Sequence, residues 1–335
     1  DNVILSVVGE ADMEVHDSRR RKIDAITLDY DVRLWDEYVF MQGVPVEPRC
    51  YRYLKQIDPA RMEMLFTGYA IERLERKCKD IQQMLRQSKN DWEECFYRML
   101  ARYWSGNVNA DAFAQLAQNL SYKKVIRCSD TLFRVEALLL GYSGLLSGLE
   151  QEDDYIKALR EEYDYQAAKF HLTGMNASQW KFMRIRPTSF PSVRLALLAS
   201  LMMRFNFLLS GVLDATSVSE VYKLLNVTAS EYWATHYKPG VVSTTRVKKM
   251  GDSMKNVIVI NAIVPFLFIY GKERGEERYC DKALQWLEEL DAERNHVTEA
   301  WTRQGVKLQI KREYCDAHRC LHCKIGAEVF RRVGN

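Results

Sequence analysis

The hydrophobic and polar positions of this chain follow two different periods. Near the start, the apolar run from Asn2 to Val8 is typical of a strand buried on both faces, and residues 26–32 alternate between apolar and polar side chains as a second strand does. Two strands alone make a marginal sheet. We therefore expect further sheet before Asp1, so that residues 1–48 are the remainder of a truncated β-rich domain.

From about residue 55 the period changes to the 3.6 residues of an α-helix. Leu74, Cys78, Ile81 and Leu85, for example, share one helical face. Comparable patterns predict helices over 92–103, 109–120, 132–142, 155–163, 232–237, 257–269 and 284–290. The sequence thus predicts a mainly α protein, in which a multi-helix domain over residues 55–335 follows a small N-terminal β segment.

Two of these helices carry N-terminal signals. Asn90 is the predicted N-cap of the helix over 92–103. Thr228 and Glu231 match a capping box, in which each side chain would accept a hydrogen bond from the first backbone N–H groups of a helix over 232–237.

Composition restricts the compartment and the kind of partner. The 335 residues include 48 basic and 45 acidic side chains, so the net charge of +3 favours neither nucleic acid nor an anionic membrane, and any basic site must be local. The eight cysteines lack the dense framework of a disulfide scaffold. No leader is recognisable, and no apolar run reaches the roughly 20 residues of a bilayer span. We expect a cytoplasmic protein that does not enter a membrane.

The only tight cluster of metal-binding residue types lies near the C-terminus. Cys315, Cys320 and Cys323 fall within nine residues, together with His318 and His322. Zinc prefers four tetrahedral nitrogen or sulfur ligands, and a Cys-x2-Cys pair lets one tight turn present two thiolates to one ion. These five residues therefore predict a structural metal site, which local residues alone could complete as Cys3His.

The same spacing admits two other interpretations. Cys-x4-Cys-x2-Cys is the local pattern of plant-type iron–sulfur proteins, which take a fourth cysteine from far along the chain, and Cys280 is the nearest candidate. Alternatively, the three cysteines are small buried residues that only pack.

A second candidate site is a proline-stiffened loop with three guanidinium groups. Arg184, Arg186 and Arg194 could clamp phosphate or carboxylate through bidentate hydrogen bonds. With Trp180 and Phe190 as stacking partners, the loop could bind single-stranded nucleic acid. The alternative is that these arginines pair with acidic neighbours and hold helices together.

Three further polar residues are candidates for function. His236 and Tyr237 lie in an aromatic segment, where His236 is either an acid or base or an ordinary packing residue. Asn295 follows a predicted helix end and belongs either to a turn or to a site. Gly-rich phosphate loops, nucleophile elbows and His-Glu-x-x-His helices do not occur in the sequence, which disfavours the enzyme classes that use them.

Five ordered motifs resemble one bacterial family, the domain of unknown function numbered 2851. The motifs are Arg184-x-Arg186-Pro-x-x-Phe190-Pro, Tyr232-Trp233-x-x-His236-Tyr237, Ile260 to Pro265 with Tyr270-Gly271, Glu293-x-Asn295, and the terminal Tyr314-Cys-x4-Cys-x2-Cys. The resemblance implies a β-rich segment ahead of the first strand, and it implies no established activity.

The leading hypothesis is a binding or scaffolding module for nucleic acid or another polyanion, or for a protein partner, with a structural zinc ion or iron–sulfur cluster. A second hypothesis is a metal-dependent, nuclease-like hydrolase whose acidic site lies in the N-terminal sheet and includes Glu10 or Asp12. A third is a structural or interaction protein without a ligand.

Overall fold

The computed structural model describes residues 3–43, 49–204, 208–290 and 310–333. Helices dominate these residues, and the strands are two or three residues long, which confirms the predicted mainly α fold with a small N-terminal β segment. The helices are α1 (Val32–Gly43), α2 (Tyr51–Leu54), α3 (Pro59–Gln87), α4 (Trp92–Tyr103), α5 (Ala110–Asn119), α6 (Tyr122–Ile126), α7 (Leu132–Tyr142), α8 (Asp154–Phe170), α9 (Pro191–Met202), α10 (Leu208–Asp214), α11 (Val218–Leu224), α12 (Asp252–Ile258), α13 (Val264–Arg274), α14 (Glu277–Glu289) and α15 (Lys324–Val333).

The N-terminal β segment is smaller and more exposed than predicted. Strand β1 (Ser6–Val8) pairs in parallel with β2 (Ala25–Thr27), and Val7 lies opposite Ile26. Ile4 is 89% exposed and Val7 is 55% exposed, so the prediction of a strand buried on both faces is wrong for the described residues. The alternating pattern also stops early, because Asp31 accepts a hydrogen bond from the Arg33 N–H and α1 begins.

The chain divides into two compact units, Asp1–Arg73 with Arg294–Asn335, and Leu74–Glu293. We call them the first and second unit. Each has its own hydrophobic core. The core of the first unit consists of Ile57, Leu65, Tyr69, Ile310, Cys323, Ile325 and Val329. The predicted division into residues 1–48 and 55–335 was based on the pattern along the chain and not on packing. It stays a prediction.

Helix boundaries in the second unit follow local capping chemistry. The side chain of Asp91 accepts a hydrogen bond from the Glu94 N–H and caps α4, whereas the predicted cap, Asn90, has a left-handed backbone with φ of 62°. Thr131 caps α7 and Asp153 caps α8 in the same way. The helix positions were therefore predictable, although one cap was assigned a residue too early.

A long apolar helical stretch, Asp252–Arg274, is interrupted. A π-helical turn over Val259–Ile263 joins α12 to α13, and Pro265 is the second residue of α13. By length and composition alone, this stretch would suffice to cross a membrane, and most of its apolar part is buried inside the protein.

The predicted helix over 232–237 is wrong. A short 3-10 turn (Glu231–Ala234) leads into strand β3 (His236–Lys238), which pairs antiparallel with β4 (Val241–Val242). The capping box does not form, because Thr228 makes an isolated β-bridge with Lys249 instead. Gly240, with φ of +70°, lies between the strands and permits the turn.

Candidate functional site

The arginine loop of the second unit runs from Trp180 to the start of α9. Its first end is fixed by Trp180, which is 5% exposed and donates from Nε1 to the Ser143 carbonyl over 2.8 Å. The Asn109 side chain holds the next residue by donating to the Lys181 carbonyl and accepting from the Lys181 N–H. The loop therefore has a fixed base, and Trp180 is too deeply buried to stack on a base of nucleic acid.

Two of the three predicted arginines lie on the surface of this loop. Arg184 and Arg186 are exposed, and Arg184 has a left-handed backbone with φ of 58°. Among the described residues, no carboxylate lies within ion-pairing distance of either guanidinium group. The acidic partners that the structural interpretation requires are thus not found in that part of the chain.

Arg194, the third, has a different environment. Its side chain lies in the first turn of α9 and is 6% exposed. Nη1 lies 3.3 Å from the Met250 sulfur, Nη2 lies 3.3 Å from Ser189 Oγ, and Nε has no hydrogen-bond partner. Burial without a carboxylate lowers the pKa of Arg194 to about 10. Arg194 therefore contacts the loop from its buried side and does not belong to the exposed surface.

A second basic segment packs against the arginine loop. Lys238 of β3 places its ammonium group 5.4 Å from the centroid of the Phe182 ring and 5.7 Å from that of Phe190. On the adjacent residue of the same strand, the carbonyl of Tyr237 accepts a hydrogen bond from Ser192 Oγ. These contacts bring Lys238 next to the segment that carries Arg184 and Arg186.

The buried Lys248 extends this basic region. Its ammonium group donates to the Ala234 carbonyl and lies 3.9 Å from the centroid of the Tyr237 ring. Burial lowers the pKa of Lys248, and the nearby charge of Arg246 lowers it further. This is the observed role of Tyr237, which supports a lysine and takes no part in any described acid–base pair.

The two packed segments share a sequence property that motif reasoning missed. Residues 165–213 contain six lysines and arginines and no aspartate or glutamate, and residues 232–251 contain four and none. Such acid-free segments were visible in the sequence, but only the structure shows that they pack together. Their exposed members, among them Arg184, Arg186, Lys238 and Arg246, give the packed segments a local excess of positive charge on a protein whose net charge is only +3.

His236 belongs to a stack of rings rather than to a helix face. Its ring lies on Tyr232 at 4.0 Å with 4° between the planes, and Tyr232 stacks on Tyr155 at 4.4 Å. Nδ1 contacts the Tyr232 carbonyl, while Nε2 is buried, lacks a hydrogen-bond partner and lies 3.8 Å from Asp153. This geometry is that of a packing residue close to a carboxylate.

Beneath the same rings lies Glu136, which the sequence did not single out. It is fully buried, and its Oε2 accepts hydrogen bonds from Tyr155, Ser230 and Trp233. Burial nevertheless raises the pKa of Glu136, and its Oε1 has no partner. The hydrogen bonds to its Oε2 join α7 to the turn before β3.

The C-terminal cysteines meet a fourth cysteine in the first unit. Cys50, Cys315, Cys320 and Cys323 line one small cavity, part of which is open to solvent. Burial, reinforced by the neighbouring thiols, raises the pKa of Cys50 to about 12. Among the described residues, no three His, Cys, Asp or Glu side chains are arranged to hold a single metal ion. The shared lining nonetheless brings together four sulfur donors.

The residues considered as the fourth ligand lie elsewhere. His318 is exposed and directs its two ring nitrogens to Gln42 and Arg49, at 2.9 and 2.8 Å. His322 is exposed and does not line the cavity. Cys280 belongs to the second unit, where its thiol contacts the Phe268 carbonyl. Because 265 residues separate Cys50 from Cys315, no local spacing pointed to it.

Asn295, the remaining candidate, lies outside the described residues. The N-terminal acidic residues do not assemble either, since Glu14 pairs with Lys22 and the others are exposed.

Comparison with known proteins gives one positive result. A family model described as a protein of unknown function (DUF2851) matches residues 1–296. No curated protein and no solved structure matches the chain. The matched range includes the arginine loop and Cys50, whereas Cys315, Cys320 and Cys323 lie beyond it.

Proposed function

We propose from the geometry that this chain, which belongs to the DUF2851 family of proteins of unknown function, is a binding module for a polyanion, with nucleic acid as the first candidate. Membership of the family assigns no activity. The observation that carries the proposal is the packing of two acid-free basic segments against each other. Arg184 and Arg186 are exposed there and have no carboxylate partner among the residues that the structure describes.

The chemistry of the exposed arginines supports this proposal. A guanidinium group offers a planar fork of N–H donors that matches two phosphate oxygens. Arg184 and Arg186 have no intramolecular carboxylate to displace among the described residues, so binding a phosphate costs no existing ion pair. Lys238 and Arg246 add positive charge nearby.

The fixed base of the loop also supports the proposal. Binding is stronger when the binding segment is ordered in advance, because less conformational entropy is lost. Trp180 and Asn109 fix the first end, and Arg194 contacts Ser189 from α9. Since Trp180 is not available for stacking, we expect the phosphate backbone to dominate recognition, with little preference for base sequence.

The test replaces the two exposed arginines and leaves the buried one intact. In Arg184→Ala/Arg186→Ala we expect the affinity for a fluorescent single-stranded oligonucleotide to fall about tenfold per arginine, since a charge-assisted hydrogen bond contributes roughly 1.5 kcal/mol. The slope of log affinity against log salt concentration should become shallower by about 1.4, since each neutralised phosphate of a single strand contributes about 0.7. Fluorescence anisotropy at several salt concentrations measures both quantities.

The matched control is Lys79→Ala/Arg86→Ala, which removes the same charge from exposed positions of α3. If the loop variant and this control weakened binding equally, only net charge would matter and the proposed surface would be wrong. The hydrolase and ligand-free hypotheses stay predictions, because no described residue favours either.

A further inference from the structure

The cavity of the first unit is lined by four cysteines, which offer four sulfur donors. We propose that Cys50, Cys315, Cys320 and Cys323 bind an iron–sulfur cluster, which joins the residue before α2 to the segment before α15. The proposal is independent of the polyanion surface, which lies in the second unit.

The donor type and its arrangement along the chain support a cluster. Four cysteine thiolates and no imidazole are the usual ligands of both [2Fe–2S] and [4Fe–4S] centres. Cys315, Cys320 and Cys323 have the local Cys-x4-Cys-x2-Cys spacing, and Cys50 supplies the single distant ligand that this spacing calls for. Zinc sites more often combine two close pairs, and Cys50 has no cysteine near it in the sequence.

Polar groups around the cavity contact the sulfur atoms. The hydroxyl of Tyr69 lies 3.0 Å from the Cys323 sulfur and accepts a hydrogen bond from the Ile325 N–H, so its own proton is available to that sulfur. Gln42 Nε2 donates toward the Cys320 sulfur over 3.8 Å. Such donors stabilise thiolates and tune the potential of a cluster that they hold.

The charge of the cavity also fits a thiolate-bound cluster. A cluster with four thiolates carries a net negative charge, which a nearby cation offsets. Arg49 lines the cavity, has no described carboxylate partner, and keeps a buried Nε without a hydrogen-bond partner. Its Nη1 donates to the carbonyls of Met41 and Gln42, and its charge lowers the pKa of the nearby Cys320 thiol against the larger, opposite effect of burial.

The backbone after the cysteines is fitted closely. A Cβ atom at Gly326 would lie 2.0 Å from the Cys320 carbonyl oxygen, so only glycine lets the start of α15 approach the short 3-10 turn Cys320–His322. The turn and the helix therefore hold Cys320 and Cys323 in fixed positions, as a preorganised ligand pair requires.

The first experiment uses the unmodified protein, purified without oxygen. We expect broad visible absorption, and iron and acid-labile sulfide in equal amounts. Alkylation followed by mass spectrometry should show Cys50, Cys315, Cys320 and Cys323 protected together, and all four labelled once the cluster is removed. Three results would each overturn the proposal: zinc without sulfide, a protein without any metal, or the same extent of Cys50 alkylation before and after cluster removal.

The second experiment separates the ligands from other cysteines. Cys50→Ser should lose the visible absorption and its iron, whereas Cys280→Ser, in the second unit, should keep both. Because Cys50→Ser could also disturb folding, the fold of the variant is checked by far-UV circular dichroism. The alkylation experiment uses the unmodified protein and does not depend on how the variant folds. A folded Cys50→Ser protein that keeps its cluster would show that Cys50 is not a ligand.

Discussion

At the scale of single residues, Glu136 is the clearest case of a buried charge whose cost the surroundings only partly offset. Three donors converge on its Oε2, and yet burial raises its pKa above the ordinary 4.5 while Oε1 has no partner. A carboxyl group whose pKa is higher in the folded than in the unfolded state binds more protons when folded. Stability should therefore fall as the pH rises from 4.5 through the raised value, and stay lower above it.

We predict that Glu136→Gln removes this dependence, because an amide retains the acceptor oxygen but does not ionise. The free energy of unfolding of the natural protein, relative to that of the variant, should fall by roughly 1 kcal/mol for each pH unit across the window. Urea unfolding at a series of pH values measures the difference. Glu161→Gln, at an exposed position of α8, should leave the pH dependence unchanged, and a Glu136→Gln protein with the natural pH dependence would contradict the prediction.

At this scale, the sequence revealed which cysteines and arginines were candidates, but it did not reveal their burial or their partners. The cysteine cluster was visible, but Cys50 was not, because a ligand 265 residues away leaves no local pattern. Arg184, Arg186 and Arg194 look equivalent in the sequence. The structure separates them because α9 turns the last one inward, while the loop keeps the other two exposed.

At the scale of secondary structure, the junction of α12 and α13 depends on a side chain from another helix. Pro265 has no N–H to donate to the carbonyl four residues earlier, which belongs to Asn261. The π turn shifts the Val264 N–H to Val259. Lys77 of α3 donates from Nζ to the Asn261 carbonyl and to its side-chain oxygen, over 3.1 and 3.0 Å. A helix made discontinuous by proline is thus completed by a lysine.

We predict that Lys77→Met lowers the free energy of unfolding by about 1–3 kcal/mol, because it leaves the Asn261 carbonyl without this donor. Lys79→Met, at an exposed position two residues on, should cost much less. In a Pro265→Ala background the restored N–H should reduce the effect of Lys77→Met. Urea unfolding of the four proteins in this cycle measures the coupling, and an effect of Lys77→Met that is the same in both backgrounds would contradict the argument.

Long amphipathic helices were the most predictable elements. The helices over 92–103 and 132–142 were expected where they occur, because apolar side chains recur in them at helical spacing. The segment 232–237 was not predictable in this way. Its apparent capping box and aromatic stripes matched a helix, but Pro239 and Gly240 favour a hairpin turn, and pairing of β3 with β4 prevailed.

At the scale of the whole molecule, charge is distributed unevenly. The two acid-free segments carry ten lysines and arginines, and the rest of the chain carries more acidic than basic side chains. The small net charge of +3 therefore hides an uneven distribution of basic and acidic residues, which overall composition could not reveal. The sequence contained this information, but its value depended on knowing that the two segments pack together.

Each unit should respond separately to loss of the proposed cluster. We predict that cluster removal accelerates amide hydrogen exchange in peptides from 51–73 and 310–333, whose side chains build the core of the first unit. Peptides from 92–142, in the core of the second unit, should exchange at an unchanged rate. Exchange measured by mass spectrometry before and after cluster removal decides this. Acceleration in both sets, or in neither, would contradict a cluster that stabilises the first unit alone.

The core of the first unit draws on residues near both ends of the chain, from Ile57 to Tyr69 and from Ile310 to Val329. During synthesis, the ribosome delivers every residue of the second unit before it delivers α15. The first unit therefore cannot complete its core until after every residue of the second unit has been made. Until α15 is made, the apolar side chains of the early helices lack part of their core and can aggregate. A nascent chain stalled before residue 310 should therefore depend on chaperones more than the finished protein does.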